Sequence, residues 1–253
     1  MKTLILYHHL GLGDCISCNA LVRKVLVDNN LDKLYLIVKK QHEKTISIMY
    51  HDEPKIQCVP IYTNGEFDDT GERREVDRIT SELSPTHTLN IGHDNYWKLQ
   101  QAFPHFDCHQ RFYASVGLDF SVRYTGFKYE RDLLEEERVY HKLNPKNLPY
   151  IFVHGDSSRG RVIDDDKIKE YNKENFLIIE NDITECILHF GLILERAKQV
   201  HLMESSMRAY IETLNTDNVE LFMHWYVRQA ENMFSVNNGK GKNGTIKDWK
   251  VLI

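Results

Sequence analysis

The sequence has no apolar run of about 18 residues or more, so no membrane-spanning helix is expected. It has no surplus of positive charge. Against 37 Asp and Glu stand 32 Lys and Arg, and the net charge of −5 excludes a broad basic face for nucleic acid. It is poor in cysteine. The count of five is odd, and only Cys15 and Cys18 lie close together, which excludes a disulfide framework and points to a reducing, cytoplasmic setting. Lys2, a strand-length apolar run and two histidines make the N-terminus too short and too polar for a secretion signal. No internal repeat stands out. What remains is an ordinary composition, 42% hydrophobic and 27% charged, and 253 residues, enough for one large domain or two small ones.

Short runs rich in branched aliphatics predict buried strands at Thr3–Tyr7, Lys33–Val38, Lys55–Pro60 and Thr86–Asn90. A second series lies at Tyr150–His154, Asn175–Ile179, Gln199–Met203 and Val219–Met223. Helical spacing at Asp14–Asp28 and Thr184–Ala197 falls between members of each series. The alternation predicts an α/β protein with parallel sheets. Asn64–Arg74 reads as a polar loop, Arg131–Lys142 as a charged helix, and Leu143–Pro149, with two prolines, as a linker. The expected division is therefore 1–143 and 144–253. Residues 237–244 read as a tail loop, and Trp249, Val251 and Leu252 as a closing segment that docks on the body and crosses back toward the first half.

The stretch Gly11-Leu12-Gly13-Asp14 joins the first strand to the first helix. Glycine lets a ligand approach the backbone, a helix N-terminus presents free N–H groups, and ligands of open α/β sheets bind beyond the carboxyl ends of the strands. A dinucleotide fingerprint is excluded, because its third glycine would fall at Ile16. By local chemistry Asp14 is either a helix cap or a catalytic carboxylate.

A strand, Gly-Leu-Gly-Asp and a helix at the N-terminus resemble the heptosyltransferase-type glycosyltransferases and related GT-B enzymes. The resemblance implies two Rossmann-like halves with a cleft between them. It implies transfer of a hexosyl or deoxyhexosyl group from a UDP- or GDP-type sugar to a glycan or other hydroxyl acceptor. The reaction would be inverting, without metal or further cofactor, and Asp14 would act as general base. In the second half, His154-Gly-Asp-Ser-Ser-Arg159-Gly-Arg161 follows a strand where such enzymes place a basic residue toward the diphosphate. Glu204-Ser205-Ser206 follows another, where they place an acid or small residue and hydroxyls beside the nucleotide. The donor set so implied is Gly11, Gly13, His154, Arg159, Arg161, Glu204, Ser205 and Ser206. His9 is a second candidate base, and His8, His93 and Asp94 are assigned to the acceptor. The chain departs from the family in its short length, in lacking a proline soon after the aspartate, and in lacking a His-Leu-Ala helix after the serines.

Each residue also has a plainer reading: Arg159 and Arg161 as solvated side chains, Ser205 and Ser206 as helix caps, Glu204 as a surface acid, His8, His9 and His154 as strand-end packing, and His93-Asp94 as an ordinary turn. Cys15-x-x-Cys18 at a helix start imitates a redox dithiol, but the neighbouring Asp14 opposes a low thiol pKa. His105, Cys108 and His109 depart from zinc-site spacing. Gly239–Thr245 imitates a phosphate loop without its lysine, and Asn243-Gly-Thr245 is a glycosylation triplet without a secretory context. A non-catalytic sugar-nucleotide or glycan-binding module stays open as an alternative, as do a Rossmann-type oxidoreductase and a methyltransferase. The last of these wants an acid after the second strand, where Lys39 and Lys40 stand.

Overall fold

Continuous aliphatic runs such as TLILY and YIFVH have no polar face to offer water, so they belong at the centre of parallel sheets. The computed structural model places them there. It describes residues 1–8, 10–63, 69–92, 95–156, 160–228 and 247–253. Two units divide the chain, Met1–Glu130 and Arg131–Ile253.

In the first unit, β1 (Thr3–Tyr7), β2 (Lys33–Lys39), β3 (Ile56–Ile61) and β4 (His87–Asn90) form a parallel sheet in the order β3-β2-β1-β4. The helices are α1 (Leu12–Ser17), α2 (Asn19–Asp28), α3 (Glu43–Met49), α4 (Asp69–Leu83), α5 (Tyr96–Ala102), α6 (Cys108–Ser115) and the single turn α7 (Val122–Thr125). Ile5, Leu10, Ile37 and Ile61 pack with Val76 and Ile79 of α4 into one core cluster. The loop expected over Asn64–Arg74 is thus too long, since helix begins at Asp69, and residues 64–68 lie outside the described residues. The charges of this stretch have a structural use that a loop would not give them: Glu72 turns inward and pairs with the buried Lys39 at the end of β2.

In the second unit, β5 (Tyr150–His154), β6 (Leu177–Glu180), β7 (Gln199–Leu202), β8 (Glu220–His224) and β9 (Trp249–Leu252) are parallel in the order β6-β5-β7-β8-β9. The helices are α8 (Leu133–Leu143), α9 (Asp165–Tyr171), α10 (Gly191–Glu195) and α11 (Ser206–Ile211), with a 3-10 turn at Ile187–Phe190. The closing segment is a strand of this unit. Trp249 pairs beside Leu221 and donates its indole N–H to the buried Glu212 at 2.9 Å, so the segment docks on the second sheet.

Two corrections concern the division. Helix α8 belongs to the second unit, not the first. Arg131 forks onto Glu136 (2.7 and 2.5 Å) and onto Glu195 (2.8 and 2.9 Å), and Leu192 N–H donates to Glu136 at 2.8 Å, which fastens α8 to α10. Leu143–Pro149 is therefore a clipped turn within the unit. Asn144 accepts from Leu148 N–H (3.1 Å) and donates to Leu148 O (2.9 Å), while Asn147 takes φ +50°. The same device recurs before β6: Asn172 clips Phe176 (2.8 and 2.9 Å) and Asn175 takes φ +54°.

Between β7 and β8, buried His201 Nδ1 lies 2.8 Å from His224 Nε2, and His224 Nδ1 lies 3.0 Å from Tyr226 OH. Burial, and secondarily His224, holds His201 down at about 3; burial holds His224 at about 4.

This packing makes stability depend on pH. Below their ordinary value of 6.5, an unfolded chain takes up protons that these imidazoles refuse in the fold, so stability is full above 6.5 and falls toward about pH 4. Urea unfolding across that range reads the slope, and His201→Phe reduces it by roughly 1.4 kcal/mol per pH unit, one proton's worth. A second prediction concerns Gly191, where a Cβ would strike the Glu136 carboxylate and the Arg131 guanidinium. Gly191→Ala, worth up to about 1 kcal/mol in helix propensity, is expected instead to destabilise by about 1–2 kcal/mol, because the locked ion pair has nowhere to go. Thermal or urea unfolding gives the sign.

Candidate functional site

In each unit the chain leaves a central strand to one side and later returns to the other. The reversal falls between β1 and β4 in the first unit and between β5 and β7 in the second. Loops beyond the carboxyl ends of such strands diverge and leave a crevice, where α/β proteins bind ligands. Every candidate site residue named from the sequence ends or follows one of these four strands, His154 being the last residue of β5.

After β1, Gly11 is the N-cap of α1 with φ −67°, so no positive φ demands glycine there. Space does. A Cβ at position 11 would lie 2.7 Å from Asp14 Oδ2. Asp14 is the third residue of α1, not its N-cap. Its Oδ1 instead lies 2.9 Å from His109 Nε2, on α6. A second bond repeats the contact one turn on, where Tyr113 OH donates to Ser17 O at 2.8 Å. Asp14 and Ser17, three apart on α1, thus meet His109 and Tyr113, four apart on α6, as helical faces require. The start of α6 is itself fixed by a reciprocal cap: Asp107 Oδ1 accepts from Gln110 N–H (2.8 Å), and Gln110 Oε1 accepts from Asp107 N–H (2.9 Å). Nothing local in the sequence points to His109 as the partner of Asp14; the two lie 95 positions apart.

His8 is fully buried and faces Phe112, with ring centroids 6.5 Å apart. It packs the interior, which corrects its assignment to the acceptor, because no imidazole edge reaches the surface. His9, His93 and Asp94 lie outside the described residues. Gly13 is the second residue of α1. The loop after β4 is tied to β1 on its near side: Asn90 donates to Tyr7 OH (2.7 Å) and accepts from Gly92 N–H (3.3 Å), and Asn95 donates to Asn90 O (3.1 Å).

After β5, Asp156 and Arg161 form a two-residue bridge, with Asp156 N–H donating to Arg161 O (2.7 Å) and Arg161 N–H to Asp156 O (2.9 Å). Arg159, like Ser157 and Ser158, lies outside the described residues. Gly155 leaves the room the bridge needs, since a Cβ there would lie 3.3 Å from Arg161 O. Arg161 Nη1 is buried and has no hydrogen-bond partner among the described residues. Burial pushes His154 down to about 4, so its ring is neutral at physiological pH and Arg161 carries the positive charge.

After β7, Ser205 stands at the N-cap of α11, but its hydroxyl makes no cap and has no partner among the described residues. Ser206 is the first helical residue. Glu204 is buried and occupied: Arg208 Nε donates to it at 2.9 Å, and Arg228 donates to its carbonyl at 3.1 Å. The plain surface-acid reading of Glu204 is therefore excluded.

No family model and no curated protein matches this sequence. Solved structures do. A glycosyl transferase family 9 protein from Veillonella parvula DSM 2008 has a TM-score of 0.61 at 10% identity, over 99% of this chain and 86% of that one. The E. coli ADP-heptose lps heptosyltransferase II has a TM-score of 0.59 at 10% identity, over 100% and 90%. The bacterial iron-containing dodecameric glycosyltransferase TibC from enterotoxigenic E. coli H10407 has 0.56 at 12% identity, over 88% of this chain and 58% of that one. The fold is the two-sheet GT-B type of these proteins. The likeness extends to the fold alone. No helix among the described residues is long and apolar enough to cross a membrane.

The dithiol alternative loses its chemical basis. Cys15 and Cys18 are buried, and burial first and the Asp14 charge second hold both thiols well above the ordinary range. A thiolate-specific reagent at pH 8 is expected to leave both unlabelled in the folded protein and to label both in urea, as read by peptide mass mapping.

Proposed function

We propose that the chain is a glycosyltransferase, moving a hexosyl or deoxyhexosyl group from a nucleoside diphosphate of UDP or GDP type to a hydroxyl of a glycan acceptor. The observation that carries this reading is the Asp14 carboxylate, held beyond the central strand of the first sheet by His109 and a side-chain-free Gly11, in a fold shared with glycosyl transferases.

In this reaction the acceptor oxygen attacks the anomeric carbon as the bond from that carbon to the diphosphate oxygen breaks. Asp14 takes the proton of the attacking hydroxyl as general base. Attack from the face opposite the leaving group inverts the centre. The leaving diphosphate keeps the bond electrons and needs positive charge and donors more than covalent help. Arg161 supplies the charge and Ser205 a hydroxyl, both with hydrogen-bonding capacity that no described residue uses. Ser206, Arg159, Gly11 and Gly13 complete the proposed donor set, with His154 as an uncharged hydrogen-bonding partner. Glu204 enters paired with Arg208, which reduces its repulsion of a diphosphate. Arginine and N–H donors do the neutralising here, so the proposed reaction requires no metal. His9, His93 and Asp94 remain proposed for the acceptor side. The proposed setting is the cytoplasm.

Calorimetry with UDP, GDP, ADP, CMP, NAD and S-adenosylmethionine, with and without magnesium, tests the reading. One nucleoside diphosphate is expected to bind without metal, and Arg161→Ala to weaken it roughly tenfold. With the matching nucleotide sugar, Asp14→Asn is expected to keep binding and lose about 10²–10⁴ in turnover. Binding of NAD or S-adenosylmethionine alone overturns the proposal in favour of another α/β enzyme, and full turnover by a folded Asp14→Asn removes the base.

A further inference from the structure

Resting on that reading, we infer that His109 is the positioning residue of Asp14: its ring N–H holds Asp14 Oδ1 and fixes the plane in which the carboxylate meets the acceptor hydroxyl.

Of the two side chains, His109 is the inaccessible one, 4% exposed against 22% for Asp14. A hydroxyl reaches the aspartate and not the imidazole, so the proton goes to Asp14 and the histidine acts through it. An aspartate on the exposed first turn of a helix ordinarily turns its carboxylate freely, because the last torsion of the side chain is broad. Here three constraints remove that freedom. Gly11 makes room for Oδ2 on one side. His109 Nε2 fixes Oδ1 on the other at 2.9 Å. The imidazole itself is immobile: its ring packs on Phe112 with centroids 5.8 Å apart, Tyr113 ties the next turn of α6 to α1, and Asp107 with Gln110 sets where α6 begins. Together they preset one orientation of one carboxylate, as a general base in hydrogen-bond reach of its substrate requires.

The test separates positioning from structure and from the transferase reading itself. His109→Phe removes the donor. His109→Asn, too short to reach Oδ1, gives a second loss variant, and His109→Gln keeps an N–H donor of similar reach. With the nucleotide sugar identified by the calorimetric panel, both loss variants are expected to lower kcat about 10–100-fold while donor binding stays within about twofold. His109→Gln is expected to restore most of that loss, and the acid limb of the pH profile is expected to move up by roughly one unit in the loss variants. In parallel, protein carrying ¹³C in its aspartate carboxyls reads Asp14 directly, its resonance assigned with Asp14→Asn. The midpoint of its titration is expected about one unit or more higher in His109→Phe than in the parent chain. Equal turnover in the parent and both loss variants overturns the inference, as does an unchanged midpoint. If the parent chain turns over no nucleotide sugar, glycosyl transfer fails as the reading. The carbon titration then decides the pairing by itself: a displaced midpoint keeps His109 as the partner that orients Asp14, and an undisplaced one overturns it.

Discussion

A parallel sheet can be extended in two directions from its first strand, and a chain that uses both must at some point turn back across the strand it started from. That reversal governs both units. In the first, β2 and β3 add to one side of β1 and β4 to the other; in the second, β6 adds to one side of β5 and β7, β8 and β9 to the other. The central strands are buried over nearly their whole length and spend their side chains on the core. Freedom for chemistry begins only where these strands end, in loops that part company because their strands lead to opposite sides of the sheet. The carboxylate of Asp14, the guanidinium of Arg161 and the hydroxyl of Ser205 all stand at such ends, and the rest of each unit serves to keep those ends fixed.

The central strands β1, β2 and β5 are legible because burial on both faces writes itself into the sequence as an apolar run, whereas the edge strands β4 and β6 are mostly unburied and show only their β-branched and aliphatic residues. Eight runs predict eight strands with ends displaced by no more than a residue or two, and all eight form. The ninth is not legible. Trp249–Leu252 is a strand because β8 offers it an open edge and Glu212 accepts its indole N–H, and neither condition is local. Helix α4 escapes for the opposite reason. Its first residues, Asp69, Thr70 and Gly71, have the composition of a loop, and the inward turn of Glu72 onto Lys39 reconciles the charges that follow with burial. The division of the chain fails at a proline-bearing turn. Locally, a linker and a turn clipped by Asn144 look alike; the difference lies in Arg131, which binds Glu136 and Glu195 and so joins α8 to α10.

At the site, the glycines and the acid of Gly11–Asp14 are visible as a departure from the needs of a strand and a helix, but the reason for Gly11 is not. Its backbone is ordinary, and the approaching group is the protein's own carboxylate. His109 carries no signal at all, because a hydrogen bond spanning 95 positions leaves no periodicity behind. Glu204 is intermediate. Its spacing with Arg208 and Glu212, four and eight residues on, is the helical spacing of an ion-pair ladder, and that pattern is available to a reader who looks for it.

The ladder also explains how the second unit can carry an acid beside a place proposed for a diphosphate. Arg208 is buried, with Glu204 on one side and Glu212 on the other, and Glu212 takes the N–H of Trp249 from β9. Removing any one charge would strand the others in a medium that solvates them poorly, so the three hold as a set. Their ion pairs and the indole hydrogen bond tie the turn before α11 to the last strand of the sheet. Buried polar atoms in folded proteins almost always find partners. Arg161 Nη1 and Ser205 Oγ have none among the described residues, although each is on a loop end that the surrounding structure holds in place. At the ends of β5 and β7 this leaves a guanidinium and a hydroxyl whose donors the proposed diphosphate would meet.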